Sequence, residues 1–294
     1  MSTLNQLFGG STVASIPVEL LIAGGGGAGG GTPASTAYAA GGGGGAGALV
    51  YSSAVNLVYG STYTIVIGAG GAGATGLNSQ DGNNSSFGTY EAGGGGAGYV
   101  NRIGRSGTNG TGSGGGASMY TTSVTEYTAR PVSNGFSVDP SNLLNFFIHG
   151  ANKGGDTLSG TFPISARGGG AGSPGLPNGS IFIYNYQYGG AGLPFRITGS
   201  LSTYCTGGRG ANEYTSSSNG TNGTANTGNG GDGAAASSSS STPAYTGGNG
   251  GSGVVVIAYL NTYPAPTSIT GTYTQPSRSG YRVFVFTGSG SITF

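Results

Sequence analysis

The side chains best equipped for chemistry are few. Nine Lys plus Arg, eight Asp plus Glu, one His and one Cys are spread over 294 residues, whereas Tyr occurs 18 times and Trp not at all. A hydrolytic site needs paired carboxylates or a nucleophile with its base. His149 stands beside Phe146, Phe147 and Ile148, an apolar setting that favours a structural place, and Asp139 and Asp156 fit turns at Asp-Pro and Gly-Asp. Lys153 follows Asn152 rather than Gly, so it completes no phosphate-binding P-loop. Gly-x-Gly-x-x-Gly patterns, as around Gly26, open no helix that leads to a ribose-binding acid. Asp81, Gly82, Asn83, Asn84 and Ser85 offer oxygen ligands but lack the alternating acids and terminal Glu of a calcium loop, and read as a turn. Cys205, alone, builds neither a disulfide framework nor a cysteine-rich zinc site. The expectation is a protein that is not an enzyme and uses no cofactor or metal.

Tyrosine carries the remaining chemistry. It presents a broad rigid face and a hydroxyl at small entropic cost, which suits recognition of saccharides or protein loops. Tyr184, Tyr186 and Tyr188 fall on one face of an extended chain. With Tyr120, Tyr127 and Tyr214, and with Arg130 and Arg209 as charged donors, they are the candidate receptor contacts. The alternative is that these rings pack against another subunit or against the glycine-rich scaffold.

The elements that must position these residues are unusual in composition. Sixty-eight residues are Gly, against about 7% in ordinary proteins, and ordering each costs roughly 0.5–1 kcal/mol more than ordering Ala. Only a dense set of backbone contacts offsets that. The chain is 35% hydrophobic with a formal charge of +1, which opposes disorder driven by charge and gives no electrostatic reason for a nucleic-acid partner. No basic leader or membrane-length apolar stretch is present, so membrane insertion is not expected.

Strands are predicted at Val18 to Ala23, Ala48 to Tyr51, Tyr63 to Ile67 and Val254 to Leu260, and a terminal hairpin from Tyr281 to Phe286 and Ser291 to Phe294. No segment has helical periodicity with caps. Between the strands lie runs of Gly and Ala, among them Gly24 to Gly31, Gly41 to Ala48, Gly68 to Gly73, Gly93 to Gly98 and Gly247 to Gly253. Collagen is excluded, because consecutive glycines lack its Gly-X-Y period. Flexible linkers favour Ser and separate domains, whereas these runs alternate with strands. The expected fold is mostly β and irregular: short strands flanking a bundle of packed polyglycine-II helices, with inserted loops near 118–166, 180–188 and 212–229. The glycine-rich domain is placed at 17–260, after an N-terminal arm at 1–16; a linker at 261–280 and the hairpin at 281–294 follow.

The succession VELLIAGGGGAGGG (Val18 to Gly31), YTIVIGAGGAG (Tyr63 to Gly73), NNSSFG (Asn83 to Gly88), EAGGGGAG (Glu91 to Gly98) and GGNGGSGVVVIAY (Gly247 to Tyr259) resembles the glycine-rich domain of bacteriophage tail-fibre and adhesin proteins. The resemblance implies a virion component with variable loops at a distal tip that contact the host surface. It further implies a homo-oligomer, as a trimer, joined to other virion proteins through the arm and meeting a host-surface saccharide or outer-membrane protein. The expected function is therefore a tail-fibre or surface-appendage adhesin, made in the host cytoplasm and carried on the virion. A purely structural fibre or capsid-decoration protein is the alternative, and a glycine-rich extracellular or ice-binding protein is a third reading.

Overall fold

Strands and glycine runs alternate along the chain in a computed structural model that describes residues 14–34, 39–76, 78–100, 112–117, 147–155, 165–176, 188–211, 217–236 and 243–294. The strands are β1 (Ser15–Ala23), β2 (Ala39–Ala40), β3 (Leu49–Val58), β4 (Thr62–Val66), β5 (Ser85–Phe87), β6 (Tyr90–Ala92), β7 (Phe147–Gly150) and β8 (Leu193–Phe195). There follow β9 (Ser202–Tyr204), β10 (Ala235–Ala236), β11 (Val254–Leu260), β12 (Ser268–Thr270), β13 (Tyr273–Thr274), β14 (Tyr281–Phe286) and β15 (Gly290–Thr293). The described residues hold no helix, and so none long and apolar enough to cross a membrane.

Two antiparallel sheets form the apolar part. One has the order β13-β14-β11-β1-β3-β7 and the other β12-β15-β4-β5-β6. Alternation in β1 and β11 decides what each face meets. Ile16, Val18, Leu20, Ile22, Val255, Ile257 and Tyr259 point between the sheets, onto Ile65, Phe87, Ile292 and Phe294. The opposite face carries Leu21, Ala23, Val254, Val256 and Ala258 against Ile197, Tyr204 and Cys205. Burial on both faces is why β11 reads as an unbroken apolar run, and why β1 does so after Glu19. Each fully buried Leu, Ile or Phe contributes about 1.5–3 kcal/mol.

Two terminal expectations are corrected. Tyr281–Phe286 and Gly290–Thr293 do not form a hairpin: β14 pairs with β11 and β13, while β15 pairs with β4 and β12. The chain folds over at residues 287–289 because Phe284 and Phe286 on one strand and Ile292 beyond the turn all bury their side chains in the core between the two sheets. Nor is 261–280 a plain linker. It supplies β12 to one sheet and β13 to the other. The first strand also begins at Ser15, inside the stretch read as an arm, and β3 runs to Val58 rather than stopping at Tyr51.

Beyond Ala23 the same neighbours continue, but the bonding changes its period. Gly24, Gly27 and Gly30 donate N–H to Ala48, Gly45 and Gly42; Gly25 and Ala28 to Asn83 and Gln80; Gly26 and Gly29 to Gly251 and Gly248. Successive amides thus turn to three different neighbours, and every third residue returns to the same one. Carbonyls of this run accept from Gly95 and Gly98, from Gly71, and from Gly231 and Ala234. One run is therefore bonded to six others, and no strand of a sheet has room for that. The run at 41–48 is surrounded in the same way, by segments around 24–30, 93–99, 113–116, 166–169, 208–211 and 228–234.

Approach this close requires the missing side chain. A Cβ on Gly43 would lie 2.2 Å from the Gly208 carbonyl oxygen, and one on Gly95 2.1 Å from that of Gly45. Each lateral bond contributes roughly 0.5–1.5 kcal/mol net, the same size as the extra ordering cost of a glycine. In the runs at 24–30 and 41–48 every amide is used.

Candidate functional site

Of the proposed contact residues, Tyr188 and Arg209 are described, and the structure brings them together. The Arg209 guanidinium carbon lies 4.7 Å from the centroid of the Tyr188 ring, and Tyr188 is 59% exposed. Tyr188 stands at the mouth of the short run at 189–192, whose Gly190 carbonyl accepts the Gly207 N–H at 2.9 Å. Arg209 lies two residues further along that second run. A stacked guanidinium and phenol at the surface attract by about 0.5–1 kcal/mol, and together they offer a flat apolar face edged with N–H donors.

The backbone beneath Arg209 is fixed by Asp232. Its Oδ1 accepts the Arg209 N–H at 2.8 Å, and the following amide, Gly233, donates to the Arg209 carbonyl at 2.9 Å. Burial pushes the Asp232 carboxyl above its ordinary value; the Arg209 N–H and charge oppose that rise without cancelling it.

The same two-point clamp recurs. Asn229 accepts from Thr206 N–H, and Gly230 donates to the Thr206 carbonyl. Asn219 and Gly220 hold Thr246 in this way, and Asn222 and Gly223 hold Asn249. Between antiparallel runs the two points fall two residues apart. Asp81 Oδ1 accepts from Ala97 while Gly82 donates to Gly95, and Asn249 Oδ1 accepts from Gly73 while Gly250 donates to Gly71. In each case a side-chain carbonyl replaces a backbone acceptor where a run meets an outer neighbour. Asn84 adds a further side-chain acceptor, for Gly94, three residues after Asp81.

These clamps overturn one reading and refine another. Within the described part of the 212–229 insert, residues 218–224 are not a loop: Gly220 and Gly223 bond to Thr246 and Asn249 with the three-residue recurrence of the other runs, and a turn follows at 225–228. Asp81 and Asn84, weighed as turn residues or calcium ligands, spend their Oδ1 atoms on the neighbouring run. The missed signal was in the sequence: an Asn or Asp followed by Gly, spaced by three, at Asn219 and Asn222 and at Asn229 and Asp232.

Tyr120, Tyr127, Arg130, Tyr184, Tyr186 and Tyr214 lie outside the described residues, as do Asp139 and Asp156. Lys153 lends its carbonyl to the Gly175 N–H, and His149 occupies β7 opposite Val50. Cys205 is buried with a left-handed backbone, φ 59°, and its Sγ lies 3.6 Å from the Ala48 carbonyl oxygen. Burial drives its thiol pKa far upward. Among the described residues no group of three or more His, Cys, Asp or Glu gathers to hold a metal ion.

Strands that pass into laterally bonded glycine runs, pinned by Asx-Gly pairs, define a glycine-rich domain. A family described as a glycine-rich domain matches residues 10–260, and the chain belongs to it. No curated protein matches the sequence.

Proposed function

We propose that this chain is a non-enzymatic phage virion protein, a tail-fibre or surface-appendage adhesin that attaches the particle to its host. Its runs are read as polyglycine-II-type helices packed in a bundle, a reading supported by the three-residue recurrence of lateral bonds and by six neighbours around one run. The observation that carries recognition is the exposed Tyr188 ring beneath Arg209, held on clamped backbone. A binding surface made rigid before it meets its partner loses little entropy on contact. The phage setting rests on the ordered likeness of strand, run and NNSSFG segments. On this reading the protein is a homo-oligomer, as a trimer, that joins other virion proteins through residues 1–16 and meets a host saccharide or outer-membrane protein.

The test pairs host-cell adsorption with thermal melting for Tyr188→Ala and Arg209→Ala. Adsorption is expected to fall about tenfold, the effect of losing roughly 1.4 kcal/mol, with melting shifted by no more than about 2 °C. Variants at Tyr120, Tyr127, Arg130, Tyr184, Tyr186 and Tyr214 extend the same series. Unchanged adsorption in every variant favours the purely structural appendage.

A further inference from the structure

The clamp residues carry a reactivity that the fold restrains. Asn219, Asn222, Asn229 and Asn249 are each followed by Gly. In an Asn-Gly pair the glycine nitrogen can attack the asparagine Cγ. A nitrogen–Cγ bond forms, the Cγ–Nδ2 bond breaks, and the side-chain nitrogen leaves as ammonia with the proton the glycine nitrogen gave up. Water then opens the five-membered imide at either carbonyl, giving aspartate or isoaspartate. Glycine has no side chain to hinder the attack.

We infer that Asn222-Gly223, at the outer edge of the glycine runs, is a self-modification site that is locked while its run is docked and that unlocks the run irreversibly once it reacts. The attack needs the Gly223 nitrogen to lose its proton and turn a face onto Cγ. In the clamp that proton is committed to the Asn249 carbonyl at 2.8 Å, and Asn222 Oδ1 is held by the Asn249 N–H at 2.9 Å. The run around it is exposed at Asn219, Thr221, Asn222 and Thr224. It bonds to Thr246, Asn249 and Asp232 on its inner side, and the Thr224 carbonyl accepts from the Thr227 hydroxyl in the turn that follows. Segments with few bonds and much exposure open most often. Asn229-Gly230 is enclosed more fully, since Gly251 donates to the Asn229 carbonyl and Gly230 is buried.

The two products differ in consequence. Aspartate keeps the side-chain acceptor, as Asp232 demonstrates at its own clamp. Isoaspartate routes the chain through the side chain and adds a carbon to the backbone, so the bonds from Gly220 and Gly223 can no longer both reach the 246–249 run.

The intact protein is incubated in mildly alkaline buffer, native and in urea, and deamidation is mapped by peptide mass spectrometry. Native Asn222 should react at least about tenfold more slowly than the unfolded chain, the factor that about 1.4 kcal/mol of local opening free energy confers. Asn229 should be slower still. Equal native and unfolded rates at Asn222, or Asn229 reacting as fast as Asn222, overturn the lock. Amide exchange at Gly220 and Gly223 is then compared between the isolated isoaspartyl form and Asn222→Asp. Faster exchange in the first alone is expected, and unchanged exchange in the isoaspartyl form overturns the unlocking.

Discussion

Arg278 grips Glu19 through two nitrogen–oxygen bonds of 3.0 and 2.8 Å across 259 residues of sequence. The same guanidinium donates to the Ile197 carbonyl and sits 3.7 Å from the centroid of the Tyr281 ring. One side chain thus ties β1, the turn after β8 and the segment entering β14.

Arg278→Ala should therefore lower stability by about 1–2 kcal/mol, a planar two-point pair plus a ring contact being worth more than an ordinary surface ion pair. Arg278→Lys should recover only part, because an ammonium has no fork to match the carboxylate. Chemical denaturation of the three proteins measures this; full recovery by Lys contradicts it.

Gly43→Val and Gly95→Val each set a branched side chain against a carbonyl oxygen that no rotamer can move. Each should cost more than about 3 kcal/mol or prevent folding. Ala72→Val, at an exposed position of an outer run, should change stability by less than about 0.5 kcal/mol. Native yield and melting temperature separate the two classes, and a stable Gly43→Val protein refutes the backbone packing.

Asp232→Asn keeps the acceptor that holds Arg209 and removes a charge that burial disfavours. Because the folded carboxyl titrates above its ordinary value of 3.8, its protonated form stabilises the fold at low pH. That contribution is lost as pH rises from the ordinary value through the folded one. The variant's melting temperature relative to the native protein should climb across that window and level off above it. A difference that falls with rising pH reverses the sign and excludes the argument.

Removing residues 281–294 strips Phe284, Phe286, Ile292 and Phe294 from the core between the sheets. Loss of a cooperative melting transition is expected. A soluble, folded product would show that the two sheets do not depend on β14 and β15.

Thiol reagents should label Cys205 only after unfolding, because the buried thiol resists ionisation. Rapid labelling of the native protein contradicts that burial.

Much of the scaffold was legible in local sequence. Val254–Leu260 was readable to the residue because a strand buried on both faces is apolar throughout, and Tyr281–Phe286 because its residues are mostly aromatic and β-branched. Partner choice was not. Thr287 to Gly290 suits a hairpin turn, and only the meeting of Phe284 and Phe286 with Ile292 across the layers decides otherwise. The stretch 218–224 carries a loop's composition yet docks as a run, because Asn side chains substitute for backbone acceptors there. Tyr188 was legible as an aromatic at an interruption. Its pairing with Arg209 depends on which runs lie side by side, and glycine repeats carry no sequence mark of that.

A lattice of bare backbone has many equivalent alignments. Slipping one glycine run past another by three residues restores every lateral bond, so the runs alone leave their register ambiguous, as a featureless strand does in a sheet. The Asx-Gly pairs narrow that ambiguity, since after a slip of three only one of Asn229 and Asp232 still lies opposite Thr206 or Arg209, and one clamp is lost. They act as detents on an otherwise sliding bearing. A chain stripped of them should fold to a mixture of shifted alignments, and the Tyr188–Arg209 stack would exist in only some of them.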